Sequence, residues 1–160
     1  MEQAVIIRNA TAADLDAMVA LLAELFSVEA DFEFDAGRQR AGLLRMLDGC
    51  RKHRCVMVAE VEDRTVGMAT VQILVSTAEG GEVGLVEDVV VQNDWRGRGI
   101  GGRLLASLER WSAQRGLRRL QLLADRENRA GLQFYNKNGW HETRLICLRK
   151  TGNPSYPAKD

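Results

Sequence analysis

The spacing of apolar and polar positions divides the chain into a helical first third, a strand-rich middle and a mixed last third. A short strand is predicted at 5–8, and apolar residues then recur at helical spacing up to Phe26. Thr11 and Asp14 precede that run and resemble a capping box, which predicts where the first helix begins. A second helix is predicted over 37–47, ending at Asp48-Gly49.

The middle of the chain is rich in β-branched and apolar residues. Three strands are predicted at 55–61, 65–75 and 83–91. The first two are separated only by the polar turn at 62–64, which is typical of a hairpin, and a glycine-containing break at 79–81 precedes the third. Short connections of this kind predict an antiparallel meander.

The last third alternates between helices and strands. A glycine-rich turn at 96–102 opens a helix, and a strand at 118–124, a helix at 128–138 and a final strand at 141–148 follow. We therefore expect one α/β domain over 1–150, with a mixed sheet that joins the antiparallel meander to a parallel crossover. Residues 151–160 hold both prolines and are predicted to form an irregular tail.

Composition narrows the class of protein. The 22 basic and 22 acidic residues balance, which argues against bulk attraction to nucleic acid or to a membrane surface. No apolar run approaches the roughly 20 residues of a membrane span, and the first residues do not resemble a signal peptide. The odd set Cys50, Cys55 and Cys147 predicts a reducing, cytoplasmic location. Cys50, His53 and Cys55 lack a second ligand pair, so no metal is expected.

The glycine-rich turn is the most informative segment. Gly97, Gly99, Gly101 and Gly102 let the backbone approach a bulky anion, and the following helix adds the positive end of its dipole. Arginines at 96 and 98 can add charged contacts. The turn is therefore predicted to bind a phosphate or pyrophosphate group, with a flexible loop and helix cap as the structural alternative.

The identity of that ligand has two interpretations. Gly97, Gly99 and Gly102 satisfy the dinucleotide pattern GxGxxG, and Asp125 follows the next strand, where a ribose-binding acid would lie. A dinucleotide domain would continue with several parallel strand–helix units, however, and this turn follows a meander instead. A nicotinamide-dependent oxidoreductase is therefore the less favoured interpretation, and a P-loop is excluded because Gly-Lys-Ser/Thr is absent.

Two segments resemble the signatures of GNAT acetyltransferases. Arg-Gly-Arg-Gly-Ile-Gly at 96–101 is similar to the family's Gln/Arg-x-x-Gly-x-Gly/Ala, and the segment at 128–140 is similar to Asn-x-x-Ala-x-x-x-Tyr-x-x-x-Gly-Phe. Gly131 replaces the alanine and Trp140 the phenylalanine of the second signature. The order of predicted elements also resembles the GNAT fold over nearly the whole chain. The resemblance implies an N-acetyltransferase that moves an acetyl group from acetyl-CoA to a primary amine in a ternary complex.

The resemblance also implies a set of cofactor contacts on the third strand, the turn and the last helix. These expected contacts are Val89, Val90, Val91, Arg96, Gly97, Arg98, Gly99, Ile100, Gly101, Gly102 and Asn128. The backbone N–H of Val89 is expected to stabilise the oxyanion. For Asn128, a helix N-cap is an equally weighted alternative.

Two side chains are candidates for catalysis. Tyr135 matches the tyrosine of the second signature and is expected to protonate the departing thiolate, with a packed core tyrosine as the alternative. Glu87 lies in an otherwise apolar strand, where an unpaired charge is costly. It is the candidate base, with a structural ion pair as the alternative. Since neighbouring strand residues point to opposite faces, only one of Glu87 and Asp88 should face the cleft.

The acceptor is expected near the loop between the first two helices. Glu29, Asp31, Phe32 and Glu33 are candidate contacts for a cationic amine, and a solvated acidic loop anchored by core phenylalanines is the favoured alternative. Many GNAT proteins are homodimers, so a homodimer is expected by resemblance. A non-catalytic CoA-binding module on the same fold is the alternative to an enzyme.

Overall fold

The computed structural model describes residues 3–29, 31–50 and 52–150, so the predicted tail at 151–160 lies outside the described residues. The strands are β1 (Ile6–Asn9), β2 (Arg54–Val61), β3 (Arg64–Ser76), β4 (Gly81–Val91) and β5 (Leu120–Leu122). The helices are α1 (Leu15–Val28), α2 (Ala36–Asp48), α3 (Ile100–Gln114) and α4 (Arg129–Lys137). Within the described ranges, every helix is too short or too polar to cross a membrane.

The strands form one sheet in the order β1-β2-β3-β4-β5. All neighbouring pairs are antiparallel except β4 and β5, which are parallel. The predicted hairpin between β2 and β3 turns at Glu62 and Asp63, with φ of 48° and 60°. Positive φ at both positions matches the twist of two antiparallel strands. The mixed sheet predicted from the sequence is confirmed.

Each face of the sheet is covered by helices. On one face α1 and α2 pack apolar residues such as Met18, Leu22 and Leu43 against Val58 and Val90 of the sheet. On the other face α3 contributes a stripe at helical spacing that includes Leu104, Leu108 and Trp111, and α4 packs beside it. The sheet therefore separates an α1/α2 face from an α3/α4 face.

A buried carboxylate fixes the start of α1 to the sheet. Asp14 is 3% exposed and accepts two hydrogen bonds of 2.8 Å from the Arg8 guanidinium on β1. It also accepts from the Thr65 hydroxyl of β3 at 2.6 Å and from the Thr11 N–H at 2.8 Å. These donors hold the pKa of Asp14 well below its usual range although burial opposes them. The predicted helix start at Thr11 and Asp14 is thus confirmed.

Strand β4 contains a bulge. Along β3, Thr70 pairs with Glu87 and Met68 pairs with Val90, so β4 has one more residue than its partner over this interval. Asp88, within the bulge, has a φ of 52°, a left-handed conformation that is uncommon for residues other than glycine. A bulge bends a strand and changes the direction of its side chains.

Two predictions about the last third of the chain need correction. The predicted strand at 118–124 is reduced to the three residues of β5, and the predicted strand at 141–148 is wrong because those residues lie outside any helix or strand. Strand β5 pairs with β4 only at 84–86, just before the bulge. Strand β5 is an edge of the sheet and is only three residues long, so it offers little backbone with which a further strand could pair.

Candidate active site

The bulge brings both acids of β4 into one cavity. Glu87 and Asp88 line the same hollow between α1, α2 and the sheet. The expectation that only one of them faces the cleft is wrong, because the strict alternation of side chains in a strand fails where an extra residue is inserted. The site therefore contains two adjacent carboxyl groups.

The cavity has an apolar wall and a polar floor. Its volume is about 350 Å³, at the small end of the range for sites that bind small molecules. Apolar side chains of α1 and α2 form the wall, namely Leu22, Phe26, Leu43 and Met46. The other lining residues are mostly polar or charged. They come from α2 and from strands β2, β3 and β4. Such a lining suits a small polar molecule with an apolar portion.

The carboxyl groups have an environment that favours their protonated forms. Burial, together with the charges of Glu87 and Glu29, raises the pKa of Asp88 to about 7, although a hydrogen bond with Thr70 opposes the rise. Burial also raises the pKa of Glu87. A carboxyl group that titrates near neutral pH can both accept and release a proton under physiological conditions. Asp88 therefore has the chemistry of a general base.

The edge of β4 beyond Val86 presents free backbone amides. The Gln92 N–H donates to the Val66 carbonyl on the β3 side at 2.8 Å. Because N–H directions alternate along a strand, the N–H groups of Val89 and Val91 point to the opposite edge. No strand in the described ranges pairs with that edge beyond Val86. This geometry is consistent with the predicted role of Val89.

Tyr135 lies on the α3/α4 face, where it packs against the same core cluster as Val89 and Val91 of β4. Its ring makes edge contacts with Phe134 at 5.2 Å and Trp140 at 6.3 Å between centroids. Burial, and to a lesser extent the charge of Glu29, raises the pKa of Tyr135 to about 12. The phenol is therefore protonated at neutral pH and available as a proton donor. Both of the sequence's catalytic candidates, Tyr135 and Glu87, lie near Glu29, which interacts electrostatically with each.

The four glycines of the turn are required for two different reasons. Gly97 and Gly99 have φ of 75° and 76°, in the left-handed region that favours glycine, and a Cβ at either would meet no atom within 4 Å. Gly101 and Gly102 are instead packed against α4. A Cβ on Gly101 would lie 3.0 Å from the Phe134 ring, and one on Gly102 would lie 3.1 Å from Asn138 Oδ1.

These features fit a pyrophosphate. The turn leaves the first N–H groups of α3 without helical partners, since the first bond of the helix joins the Arg103 N–H to the Gly99 carbonyl at 3.1 Å. Ile100 begins the helix and is 1% exposed, so its side chain anchors the turn in the core. Backbone N–H groups at the start of a 15-residue helix form an anion-binding site.

The two arginines of the turn make contacts within the protein. Arg96 Nε donates to the Val91 carbonyl at 2.9 Å, and its guanidinium lies 3.7 Å from the Glu24 carboxylate. Arg98 stacks over the Trp95 ring at 4.6 Å. Arg96 therefore ties the turn to the end of β4, next to the open edge.

Asn128 is the N-cap of α4, as one of its two interpretations predicted. Its side-chain oxygen accepts from the Gly131 N–H at 3.0 Å. A Cβ on Gly131 would lie 2.7 Å from Asn128 Nδ2, so alanine at this position would require a small shift of the Asn128 side chain. The contact of Asn128 with a cofactor stays a prediction.

The acidic loop divides into a part within the site and a part outside it. Burial raises the pKa of Glu29, and the charges of Asp125, Asp31 and Glu87 raise it too. Phe32 is 47% exposed, stacks on Phe26 at 5.3 Å and lies under the Arg149 guanidinium. Asp31 and Glu33 are exposed. Because Phe32 and Phe34 are both substantially exposed, the alternative of a loop anchored by two core phenylalanines is wrong.

Several residues of the cavity were not identified from the sequence. They include Gln72 and three arginines, Arg38, Arg45 and Arg54. The seven-residue interval between Arg38 and Arg45 places both on one face of α2, and this spacing was the available signal. No local sequence pattern indicates that Arg54, at the start of β2, lines the cavity.

Potential metal ligands do not assemble in the described ranges. No group of three or more histidine, cysteine or acidic side chains there has the arrangement of a metal site. Cys55 is fully buried in the core, where burial raises the pKa of its thiol to about 12. Cys50 and Cys147 are also free thiols.

A replacement of Gly99 tests the turn. Valine at 99 would be forced into a left-handed conformation, which costs about 1–2 kcal/mol or more for an L-residue and displaces the first amides of α3. We expect Gly99→Val to weaken CoA binding at least about tenfold in isothermal titration calorimetry. Gly80→Val is the matched control, because Gly80 has a φ of 66° with open space around it in the β3–β4 turn. The control should lose similar stability but bind CoA normally. Equal CoA affinities in both variants would contradict the prediction that the glycine-rich turn at 96–102 binds CoA.

Comparison with known proteins identifies the class. The Acetyltransferase (GNAT) family matches residues 16–140, which is most of the chain. The chain therefore belongs to the GNAT acetyltransferase family, and the resemblance noted in the sequence is confirmed. The family implies CoA as the ligand of the glycine-rich turn, and the open amides and glycine conformations described above fit its pyrophosphate and pantetheine arm.

Individual relatives are distant. An uncharacterized N-acetyltransferase of Methanocaldococcus jannaschii is 31% identical over 90 residues, covering 56% of this chain and 40% of that protein. The aminoalkylphosphonate N-acetyltransferase of Salmonella typhimurium is 28% identical over 137 residues, covering 86% of this chain and 85% of that protein. Among solved structures, the aminoglycoside N-acetyltransferase AAC(6')-Iy in complex with CoA has a TM-score of 0.78 at 22% identity, covering 94% of this chain and 97% of that one. The last likeness shows the fold alone.

Proposed function

We propose that the protein transfers the acetyl group of acetyl-CoA to a primary amine by direct attack in a ternary complex. The observation that carries this proposal is the bulge in β4. It places two carboxyl groups in the cavity on the α1/α2 face and leaves the Val89 and Val91 amides free at the open edge beside Tyr135. An amine in the cavity and a thioester along the edge would therefore meet at the bulge.

The proposed roles follow from what aminolysis of a thioester requires. Alkyl amines have a pKa near ~10 and arrive mostly as ammonium ions, so a base must remove a proton first. Asp88, with its pKa of about 7, takes that proton, and Glu87 is the neighbouring charge that keeps the pKa high. The sequence predicted Glu87 alone as the base, and we now propose that Glu87 and Asp88 act together. Variants of each residue show which of the two removes the proton.

Charge and protons then balance as the amide forms. The amine nitrogen bonds to the carbonyl carbon, and the Val89 N–H donates to the oxygen as negative charge develops on it. The C–S bond breaks and Tyr135 gives its proton to the thiolate. The second proton lost by the nitrogen passes through solvent to the tyrosinate, and Asp88 releases the first proton to solvent, so that one proton is set free for each amide formed.

Tyr135→Phe tests the proton donor. The variant keeps the ring contacts with Phe134 and Trp140 and removes only the hydroxyl. We expect kcat to fall by about 10²-fold, the lower end of the range for loss of an acid catalyst, while the Kd for CoA is unchanged. Steady-state kinetics and calorimetry give the two quantities. Unchanged turnover would contradict the role and leave Tyr135 as a packing residue.

Binding experiments separate the proposed enzyme from the alternatives. Acetyl-CoA and CoA at about 100 times their Kd should each stabilise the folded protein by roughly 2.7 kcal/mol, whereas NAD should not. Stabilisation by NAD alone would favour the dinucleotide interpretation. Binding of CoA without acetylation of any amine would favour the non-catalytic module.

We also propose a homodimer in the cytoplasm. Leu145 and Leu148 are each 87% exposed and Ile146 is 67% exposed, in a segment that forms no strand within the described chain. A second copy that covers this segment would bury those side chains. Sedimentation should therefore show a dimer for the wild-type chain and a monomer for the double variant Leu145→Asp/Leu148→Asp. A monomeric wild-type chain would contradict the proposed dimer.

The free thiols of all three cysteines suit a reducing compartment, which supports the proposed cytoplasmic location.

A further inference from the structure

The cavity contains charges of both signs, and they come from different elements. The two acids, Glu87 and Asp88, belong to β4. The cations belong to α2 and to the first residue of β2, namely Arg38, Arg45 and Arg54. The basic side chains of this cavity are unexpected for an enzyme whose acceptor is simply a cation, since like charges would repel it.

The acids lie at one end of the cavity, and Arg54, with Arg45 beside it, lies at the other. Glu87 belongs to a cross-strand row with Thr70 and Val56, whereas Arg54 belongs to the next row on the same face, with Gln72. Glu87 and Arg54 are therefore two strands and two residues apart, which corresponds to about 12 Å between their backbones. A small molecule can lie between them without an ion pair forming across the cavity.

Arg45 and Arg54, at the end of the cavity away from the acids, keep N–H groups that are available to a ligand. Neither Arg45 nor Arg54 forms an ion pair with a carboxylate in the described ranges. Arg54 Nη1 donates to the Arg45 carbonyl at 2.9 Å, which holds its guanidinium beside the end of α2 and leaves its other N–H groups for a ligand. A second hollow of about 430 Å³ continues from these two arginines past Asp48 toward the surface. One carboxylate, Asp48, is thus present at this end against two guanidinium groups.

We propose that the acceptor is a small zwitterion: a primary amine that also carries a phosphonate, phosphate or carboxylate group. This inference rests on the proposed acetyl transfer and names the acceptor class for the same cavity. The ammonium group lies at Glu87 and Asp88, where it loses its proton, and the anionic group lies at Arg45 and Arg54. Guanidinium forks match the geometry of these anions through paired hydrogen bonds. The proposal narrows the expected cationic amine to one that is cationic only at its reacting end.

The test uses amines of matched length that differ only at the far end. The panel is 2-aminoethylphosphonate, β-alanine, 3-aminopropanol and 1,3-diaminopropane, with acetyl-CoA as donor and release of the CoA thiol as the readout. We expect kcat/KM for the two anionic amines to exceed that for the neutral and cationic ones by about 10–100-fold, the range for a charge-assisted hydrogen bond.

Arginine variants separate charge recognition from general damage. Arg45→Ala should raise KM for the anionic amines about tenfold or more and leave KM for the neutral amine within about threefold. Arg54→Lys keeps the charge but loses the fork, so an intermediate rise is expected. Arg110→Ala is the control, because Arg110 is an exposed residue of α3 on the other face of the sheet, and its kinetics should match the wild type.

The outcomes distinguish the two proposals. Anionic amines that are preferred, with the preference lost in Arg45→Ala, support the acceptor class. Neutral or cationic amines that are acetylated equally well or better overturn the acceptor class while acetyl transfer stands. Binding of acetyl-CoA with no acetylation of any of the four amines overturns the acceptor class, whereas the proposed function is overturned only when no primary amine of any class is acetylated.

Discussion

Asp88→Asn is expected to lower kcat/KM by about 10²–10³-fold at pH 8, within the range for loss of a general base. In the wild-type protein the rate should rise with pH along a limb whose apparent pKa is near 7, because burial raises the pKa of Asp88 to about 7. The asparagine variant should lose this limb. A pH–rate profile of kcat/KM with one fixed amine measures both effects.

Glu87→Gln is the matched variant, since it removes the neighbouring carboxylate. The charge of Glu87 raises the pKa of Asp88, so its removal should lower that pKa and move the limb to lower pH without abolishing it. The opposite pattern, with the limb lost in Glu87→Gln and kept in Asp88→Asn, would contradict the assignment to Asp88. It would make Glu87 the base, as the sequence predicted.

Loss of activity in Asp88→Asn should accompany a gain in stability. The folded-state pKa of Asp88 lies above its unfolded value of ~4, so the stability associated with its proton is complete below pH ~4 and is lost as the pH rises through about 7. At pH 8 the variant should be more stable by roughly 1–3 kcal/mol in urea unfolding. Asparagine also tolerates the left-handed conformation at this position. A destabilised variant would show that inactivation comes from damage to the fold.

Asp14→Ala should destabilise the protein by about 3–4 kcal/mol, the cost of breaking a buried charged network that also caps a helix. Alanine leaves the Thr65 hydroxyl and the Arg8 guanidinium without their shared acceptor. In a chain of this length the melting temperature should fall by roughly 10 °C. Asp16→Ala is the control, because Asp16 is 86% exposed and pairs with Arg40 at the surface. Equal shifts in the two variants would contradict the buried network.

The pH dependence of the same network has the opposite sign to that of Asp88. The folded-state pKa of Asp14 is held well below its usual range, so its contribution is complete above pH ~4 and is lost as the pH falls through that depressed value. Asp14→Asn should therefore be destabilised at pH 7 and converge on the wild type in strong acid. Urea unfolding at several pH values checks this.

Much of the fold follows from local sequence patterns. The helical spacing before Phe26, the polar turn at 62–64 and the glycine-rich turn at 96–102 each have a physical cause within a few residues, and the structure contains all three. The glycine turn also located the cofactor end of the site, because a left-handed φ and a free helix terminus both follow from glycine chemistry.

The parts that the sequence did not predict depend on long-range geometry. Whether β4 contains a bulge depends on its register with β3, and that register decides that Asp88 faces the cavity with Glu87. The segment at 141–148 has the composition of a strand, yet it forms none within the described chain because β5 pairs only at three positions. Arg54 reaches the cavity only through the position of β2 beside α2, which no local pattern shows.

The most direct test of the account is to incubate the protein with acetyl-CoA and a primary amine and to quantify both products. CoA thiol and the N-acetylated amine should appear in equal amounts, and both should fall together in the Asp88→Asn variant while acetyl-CoA still binds. Acetyl-CoA that binds the wild-type chain but yields no N-acetylated product with any amine would contradict it and leave a CoA-binding module on a GNAT fold.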